Sequence, residues 1–132
     1  MTVHIKIPGV LSSTTGLRRV IPTNNGFPSE GLTDLLLFAD GRPVGTLRAF
    51  TEDGGTRWHI GRVAVIQSAR QLHLGRRMMD LAEAELRRRG AAGIEVSAQC
   101  RVQPFYEKCG FTSVGEVYLD EFCPHIRMVK EL

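Results

Sequence analysis

Apolar and polar residues alternate in several short stretches of the first half of the chain. Residues 2–7 have the sequence TVHIKI, in which every second residue is apolar, as in a strand with one buried face. Residues 34–39 and 44–50 form two further apolar runs, separated by a turn at Asp40–Pro43 that contains Gly and Pro. This part of the chain therefore predicts a strand followed by a β-hairpin.

The hydrophobic period changes after a second turn at residues 52–55. Residues 56–66 end in the continuous apolar run Val63–Ile66, which is typical of a central strand buried on both faces. From Arg70 to Arg89, apolar residues recur at steps of three and four with charged residues between them, which predicts the main helix. Gly90 follows and can end this helix in a left-handed conformation.

The last third of the chain predicts a strand, a short helix and two final strands. Residues 8–31 are rich in Pro, Gly, Ser, Thr and Asn and indicate a long loop with at most one helical turn. The order of elements predicts one α+β domain over residues 1–132. We expect this domain to have a central mixed, mostly antiparallel sheet of six to seven strands, with a main helix and a short helix packed on it. The ranges predicted in the last third are Ile94–Ala98, Gln103–Cys109, Phe111–Val117 and Ile126–Val129.

Composition and charge exclude several classes of protein. A chain of 132 residues is expected to form a single domain, and its net charge of +3 is too small to indicate nucleic-acid binding by itself. No stretch is long and apolar enough for a membrane helix, and the first residues lack the pattern of a signal peptide, so we expect a cytoplasmic protein with no membrane partner. The three cysteines have no C-x-x-C spacing, so the sequence supports neither a disulfide framework nor a metal site.

The junction between the buried strand and the main helix is the strongest candidate for a site. A helix N-terminus presents free N–H donors and about half a positive charge, and Arg76 and Arg77 add cationic side chains in the first turns. This arrangement favours an anionic ligand such as a phosphate. A plain strand-to-helix turn with a solvated basic rim is an equally good interpretation on these grounds alone.

Two motifs resemble those of the GNAT acyl-coenzyme A acyltransferases. Arg70-x-x-His73-x-Gly75 is similar to the pyrophosphate loop Q/R-x-x-G-x-G/A of that family, with His73 at the position of the first glycine. The segment Phe105–Phe111 is similar to the family signature F-Y-E-K-x-G-F and lies at the expected separation. Further segments resemble the ElaA-type branch of the family: Gly61–Val65, Ala98-Gln99, Glu116–Tyr118 and Pro124–Met128.

The resemblance covers roughly residues 32–132 and implies a site for acetyl-coenzyme A as cosubstrate, with no metal. The backbone of Val63 and Val65 would pair with the pantetheine arm like an added strand, and the Val63 N–H would hold the thioester oxygen. Gln99 resembles the polar residue that hydrogen-bonds pantetheine. His73 adds a Cβ where the backbone normally approaches phosphate. The cofactor-binding residues implied by the resemblance are Val63, Ala64, Val65, Arg70, Gln71, Leu72, His73, Leu74, Gly75, Arg76, Gln99 and Tyr106.

Three side chains are candidates for catalytic proton transfer. Tyr106 falls where family members place a tyrosine that protonates the departing thiolate, and phenol and thiol pKa values ordinarily lie within one or two units of each other. His59 lies four residues before Val63, where some relatives carry a glutamate that acts as base, and His125 is a second candidate base. Ring packing for Tyr106 and a surface-facing strand position for His59 are the structural alternatives, and some family members use no dedicated base.

The resemblance therefore implies an N-acetyltransferase that moves an acetyl group from acetyl-coenzyme A to an unknown amine acceptor by direct attack. The alternative is a non-catalytic module that binds coenzyme A or acyl-coenzyme A and acts through a protein partner. Family members normally have two helices before the matched region, whereas residues 8–31 are short and loop-like, so the acceptor site could be reduced. A homodimer could complete such a site. Nucleic-acid binding through Arg87–Arg89 is a poorer hypothesis, because a solvated helix end explains these arginines.

Overall fold

A computed structural model of the protein describes residues 3–7, 31–68 and 73–132. The loop predicted for residues 8–31 lies outside these ranges except for its last residue, and so do residues 69–72 at the predicted start of the main helix. The described elements are β1 Val3–Lys6, β2 Leu32–Ala39, β3 Arg42–Thr51, β4 Arg57–Val65, α1 Leu74–Arg88, β5 Gly93–Gln99, a 3₁₀ turn Cys100–Val102, α2 Gln103–Lys108, β6 Thr112–Asp120 and β7 Cys123–Glu131.

The described strands form one seven-stranded sheet in the order β1-β2-β3-β4-β5-β7-β6. Neighbouring strands are antiparallel except for β4 and β5, which run parallel. A parallel pair needs a crossover connection, and α1 provides it. The predicted α+β fold, with a mixed, mostly antiparallel sheet carrying a main and a short helix, is confirmed.

One continuous hydrophobic core joins the sheet to both helices. In β2 the fully buried Leu35 and Leu37 alternate with half-buried neighbours, so one face of the strand packs against the helical layer. Trp58 of β4 belongs to this core; it is 2% exposed, and its indole N–H donates to the Gly55 carbonyl at 2.9 Å. The buried apolar residues of α1 follow helical spacing and are Leu74, Met78, Met79, Ala82 and Leu86.

The arginines at the end of α1 are held by acidic residues of the same helix. Arg89 Nε lies 2.9 Å from a Glu85 carboxylate oxygen, and Arg88 hydrogen-bonds the other oxygen of that carboxylate. Arg87 Nε lies 3.4 Å from Glu83. Arg87 and Arg88 are nevertheless exposed, as expected of a solvated helix end, so the acidic partners add to that interpretation. Gly90 takes the expected left-handed conformation, with φ of 92°.

The β2–β3 turn is shorter than predicted. Asp40 and Gly41 alone form it, with φ values of 51° and 81°, whereas Arg42 and Pro43 already belong to β3. Left-handed residues at both positions of a two-residue turn match the right-handed twist of the flanking strands, which explains why the strands pair up to the turn.

The last two strands are longer than predicted. They extend past the predicted limits Val117 and Ile126 to a two-residue turn at Glu121-Phe122, where both residues have positive φ, 51° and 65°. Glycine and asparagine are the residues that normally adopt this conformation, and neither is present. The turn therefore lacks the local signal by which a sequence pattern recognises it.

Candidate functional site

The parallel strands β4 and β5 separate near their C-terminal ends. Their pairing ends at Ile60, opposite Val96, although β4 continues to Val65. At the same point a bulge places two residues of β4, Arg62-Val63, opposite the single residue Leu47 of β3. Bulges of this kind re-aim side chains and end pairing, and they are frequent next to active sites.

The backbone of the last part of β4 faces the gap between the separated strands. The Ile66 N–H donates to the Val44 carbonyl, on the β3 side, at 2.8 Å. Because successive residues of a strand direct their backbone groups to opposite edges, those of Val63 and Val65 face the β5 side. This is the edge expected to pair with the pantetheine arm.

A first cavity of about 620 Å³ lies between this edge, the start of α1 and the short helix α2. We call it the β4–α1 cavity. Its walls are mainly apolar, and its size falls within the range of small-molecule sites, roughly 300–1,000 Å³. Half of the expected cofactor residues line it, namely Val63, Ala64, Val65, His73, Gly75 and Arg76, and Phe105 and Lys108 of α2 complete it.

His73 precedes the first residue of α1 in a left-handed conformation, with φ of 56° and ψ of 27°. A residue with a Cβ pays a steric penalty there, roughly 1–2 kcal/mol, whereas glycine does not. The local geometry thus explains why the similar motif has glycine at this position. The His73 side chain is exposed and forms no capping hydrogen bond.

Gly75 allows the first turn of α1 to approach the short helix α2. A Cβ at Gly75 would lie 3.2 Å from a ring carbon of Phe105, which is closer than an ordinary van der Waals contact. The Phe105 ring can therefore pack against the helix start and form a wall of the β4–α1 cavity. A larger side chain at this position would displace that wall.

Positive charge is concentrated at the α1 end of the β4–α1 cavity. Arg76 and Lys108 line it, and the first turn of α1 has no acidic residue. The cavity thus combines an apolar channel with a cationic helix start, which suits a ligand that has an uncharged arm and a phosphate end. The predicted residues Arg70, Gln71 and Leu72 lie outside the described residues. Leu74 is 1% exposed, so only its backbone is available to a ligand.

A second cavity of about 420 Å³ shares Val63 with the first and extends toward the ends of β5 and β7. We call it the β5–β7 cavity. Its lining is largely polar and includes three predicted site residues, Gln99, Tyr106 and His125. The structure therefore brings together Tyr106 and His125, which are distant in sequence, and places both beside the strand that separates the two cavities.

Tyr106 is buried between two other aromatic rings. Its ring makes edge-to-face contacts with Phe105 and Phe111, at centroid distances of 5.1 and 5.9 Å. Burial, followed by the nearby Cys109, raises the pKa of Tyr106 to about 12. The interval between this phenol and a thiol is therefore wider than the one or two units expected from the sequence, because the cavity disfavours the phenolate.

His125 lies opposite Gln99 in the β5–β7 pairing and is 9% exposed. Its Nδ1 is 2.8 Å from the Cys123 carbonyl oxygen. A carbonyl oxygen can only accept, so Nδ1 carries the hydrogen and the lone pair of the neutral ring lies on Nε2. Tyr118 stacks on this imidazole at 6.0 Å and hydrogen-bonds Ser97 through its hydroxyl, which holds the ring in place.

Gln99 also lines the β5–β7 cavity rather than the β4–α1 cavity. Its side-chain oxygen accepts a hydrogen bond from Arg101 Nε at 2.8 Å. The amide NH₂ group has no hydrogen-bond partner among the described residues. Gln99 can therefore act toward a ligand as a donor, in a fixed orientation.

His59 lines neither of the two cavities. Its ring stacks on Phe50 at 4.8 Å, and its Nδ1 lies 3.5 Å from a Glu95 carboxylate oxygen. Arg127 Nε contacts the other oxygen of Glu95 at 2.7 Å. Glu95 thus links His59 and Arg127 in a charged cluster, and the structure does not bring His59 together with Tyr106.

The sequence analysis assigned no role to several residues that line the cavities, among them Arg101 of the 3₁₀ turn. Phe105 and Lys108 belong to a motif that was recognised, but only its tyrosine was assigned a role. Asp120, an exposed residue at the end of β6, lines the β5–β7 cavity. Arg62 lines the same cavity because of the bulge in β4, for which the sequence has no signal.

Within residues 3–7, 31–68 and 73–132, no group of three or more His, Cys, Asp and Glu side chains is arranged to hold a metal ion. In the same part of the chain, neither α-helix has the length and apolar character needed to cross a membrane.

The chain is similar to known acyltransferases. The sequence model described as "Acetyltransferase (GNAT) domain" matches residues 21–132. The uncharacterized N-acetyltransferase YjcF of Bacillus subtilis (strain 168) is 32% identical over 104 residues, which cover 77% of this chain and 73% of that protein. The chain spans between 65% and 73% of the length of three curated relatives from Bacillus subtilis (strain 168).

Solved structures give the same result. An acyl-CoA N-acyltransferase from Pseudomonas aeruginosa is 34% identical, with a TM-score of 0.63 over 75% of this chain and 68% of that chain. Escherichia coli ElaA is 27% identical, with a TM-score of 0.67 over 76% of this chain and 68% of its own. The resemblance to GNAT proteins, including ElaA, is thus confirmed, and this chain belongs to the GNAT acetyltransferase family.

Proposed function

We propose that the protein is an N-acetyltransferase that transfers the acetyl group of acetyl-coenzyme A directly to an amine. The observation on which this rests is that the two cavities meet at Val63, where β4 has separated from β5. The β4–α1 cavity would take coenzyme A, since it is a mainly apolar channel with cations at a helix start. The β5–β7 cavity would take the amine, since polar and titratable side chains line it.

The backbone of β4 would position the thioester between the cavities. The edge formed by Val63 and Val65 can pair with the amides of the pantetheine arm in the manner of an added strand. The Val63 N–H would then donate to the thioester oxygen and stabilise the negative charge that develops there. This places the reacting carbonyl carbon at the entrance to the β5–β7 cavity.

His125 is the proposed base for the attacking amine. Its Nε2 has the available lone pair, because Nδ1–H donates to Cys123. As the amine nitrogen bonds to the carbonyl carbon, its proton passes to Nε2, and the carbon–sulfur bond breaks. His59 is the less favoured base, since it contacts Glu95 and lines neither cavity.

Tyr106 is the proposed acid for the departing sulfur. With a pKa raised to about 12, its hydroxyl stays protonated throughout the neutral range and can donate a hydrogen bond as charge develops on sulfur. The thiolate then takes the proton of the Tyr106 hydroxyl. The proton that His125 received from the amine returns to the phenolate through solvent. Because the pKa of Tyr106 is well above that of a thiol, hydrogen bonding to sulfur in the transition state, rather than early proton transfer, would give most of the rate enhancement.

The first experiment is thermal unfolding with and without acetyl-coenzyme A, with free coenzyme A and ATP as controls for simple anion binding. Ligand at about 100 times its dissociation constant adds about 2.7 kcal/mol of stability, equivalent to a rise in Tm of roughly 10 °C for a domain of this size. We expect both coenzyme A species to raise Tm and ATP to raise it far less. An equal rise with ATP, or none with any of the three, would contradict the proposed cofactor site.

Release of the coenzyme A thiol in the presence of amines separates the proposal from its alternative. A non-catalytic module would show the thermal shift but no thiol release with any amine. Family membership does not favour that alternative, and neither do the two side chains suited to proton transfer in one cavity.

A homodimer also remains a proposal. It is supported by the β6–β7 hairpin, in which the edge strand β6 is exposed along its length. A monomeric mass in solution at working concentration would contradict it. The large hydrophobic side chains exposed on this hairpin are Val114, Val117, Tyr118, Leu119 and Phe122.

A further inference from the structure

Two arginines of the β5–β7 cavity lack a carboxylate partner. Arg62 and Arg101 both line the cavity, and neither forms an ion pair with any residue that the structure describes. Two arginines of neighbouring strands do have such partners: Arg48 Nε lies 2.7 Å from Asp34, and Arg127 Nε lies 2.7 Å from Glu95. The charges of Arg62 and Arg101 are thus not balanced by an ion pair within the described part of the chain.

The backbone places Arg62 in the cavity at a steric cost. Its φ is 55°, in the left-handed region that residues with a Cβ rarely adopt, and it forms the bulge at which β4 leaves β5. Glycine would occupy this position without strain. An arginine there is unfavourable for the backbone alone, which indicates that its side chain has a use in the cavity.

Arg101 is held in position from the other side of the gap. Its Nε donates to the side-chain oxygen of Gln99 at 2.8 Å, so the guanidinium has one fixed hydrogen bond and retains its terminal NH₂ groups. A guanidinium with free terminal donors suits the two oxygens of a carboxylate. The cavity is thus lined by two cationic groups, Arg62 from β4 and Arg101 from the 3₁₀ turn after β5.

Asp120 adds a single negative charge to the same lining. It lies at the end of β6, is exposed, and has no ion-pair partner among the described residues. The cavity therefore presents two cations and one anion beside the proposed base His125. A ligand with complementary charge carries one ammonium group and one or more anionic oxygens.

We infer that the acceptor is a primary amine that also carries a carboxylate, that is, a compound of the amino-acid class. This inference rests on the proposed function. The carboxylate lies against Arg62 and Arg101, while the amine group lies toward Asp120 and His125. An amine with several positive charges is disfavoured, because the two guanidinium groups would repel it and would have no carboxylate to pair with.

The test compares amino acids with the amines that result from their decarboxylation, so that each pair differs only in the carboxylate. Leucine with 3-methylbutylamine and 4-aminobutyrate with propylamine form two such pairs, and spermidine represents polycations. Thiol release gives kcat/KM, which is expressed per concentration of deprotonated amine so that differences in amine basicity cancel. We expect the carboxylate member of at least one pair to be favoured by about 10-fold or more.

The variant Arg62→Gly removes the guanidinium and leaves a residue that adopts the same backbone conformation freely. We expect it to lower kcat/KM for the favoured amino acid by about 10- to 100-fold and for the decarboxylated partner by at most about 3-fold. Arg62→Lys keeps the charge and should recover part of the loss. Arg42→Ala removes an exposed arginine that lines neither cavity. It should leave kcat/KM unchanged for both members of the pair.

Three outcomes would overturn the inference and leave the proposed function intact. The first is equal kcat/KM within every pair, and the second is a preference for the decarboxylated amines or for spermidine. The third is an equal loss of kcat/KM in Arg62→Gly for both members of a pair. Absence of thiol release with every amine would overturn the inference and the proposed function together. A rise in Tm with acetyl-coenzyme A would then support the non-catalytic alternative.

Discussion

The two cavities that meet at Val63 have opposite chemical character. The β4–α1 cavity is built largely from backbone and apolar side chains, and its cations are Arg76 in the first turn of α1 and Lys108 at the end of α2. The β5–β7 cavity is built from polar and titratable side chains contributed by four strands and by α2. One strand, β4, supplies residues to both, because it has a paired half and a separated half.

This difference separates the proposed cosubstrate site from the proposed acceptor site. Backbone groups and a helix start can bind the constant part of a cosubstrate with little dependence on side chains. Recognition of an acceptor depends on side-chain charge, which Arg62, Arg101 and Asp120 supply here. Variants in the β5–β7 cavity should therefore change turnover or acceptor preference, and variants in the β4–α1 cavity should change coenzyme A binding.

The largest effect is expected for Tyr106→Phe. Loss of the hydroxyl removes the hydrogen bond to the departing sulfur, so kcat should fall by about 10²- to 10³-fold. The dissociation constant of acetyl-coenzyme A, measured by calorimetry, should change by less than about 3-fold, because Tyr106 does not line the β4–α1 cavity.

Tyr118→Phe is the matched control, since it deletes the same group from a ring that stacks on His125 and bonds Ser97. Its kcat should fall by less than about 10-fold, through looser positioning of the imidazole. Equal losses in the two variants would show that Tyr106 has no special role in proton donation.

An intermediate effect is expected for His125→Asn. The asparagine amide can still donate to the Cys123 carbonyl but has no lone pair in place of Nε2. At pH 7, kcat/KM should fall by about 10- to 100-fold, and the loss should shrink as pH rises, because more of the amine is then already deprotonated.

His59→Asn provides the comparison for this prediction. Because His59 lines neither cavity, its variant should keep the pH profile of the unmodified protein. A loss in His125→Asn that is the same at every pH would indicate a structural role, and a pH-dependent loss in His59→Asn would transfer the role of base to that residue.

The smallest effect is expected at His73, in the β4–α1 cavity. His73→Gly removes the strain of a left-handed residue, and after the greater flexibility of glycine in the unfolded chain is subtracted, the free energy of unfolding should rise by about 0.5–1 kcal/mol. Removal of the Cβ should also strengthen acetyl-coenzyme A binding by about 2- to 5-fold, because phosphate can approach the backbone more closely.

His73→Ala separates the backbone effect from the side chain. It keeps the Cβ and the left-handed strain but lacks the imidazole, so its stability and affinity should stay close to those of the unmodified protein. Weaker binding in both variants, measured by calorimetry, would show instead that the imidazole contacts the cosubstrate.

The elements were predictable because their signals are local. Alternation predicted the strands, the three-and-four spacing predicted α1, and the glycines after both helices predicted their ends, with Gly110 also left-handed at φ of 96°. The Glu121-Phe122 turn escaped prediction because neither residue type favours its conformation. The β4–α1 cavity was largely predictable for the same reason, since all of its lining residues but Arg76 lie in three short segments that resemble family motifs.

The sequence by itself determined the order of strands and helices and the motifs that place this chain in its family, because those features depend on residues close together along the chain. Only the tertiary structure decided that β4 parts from β5 at Ile60, that Arg62 enters a cavity, and that His125 joins Tyr106 there. Such contacts arise from pairing between distant strands, for which hydrophobic periodicity has no signal. Burial, also a property of the assembled fold, then raised the pKa of Tyr106 to about 12 and limited the chemistry it can perform.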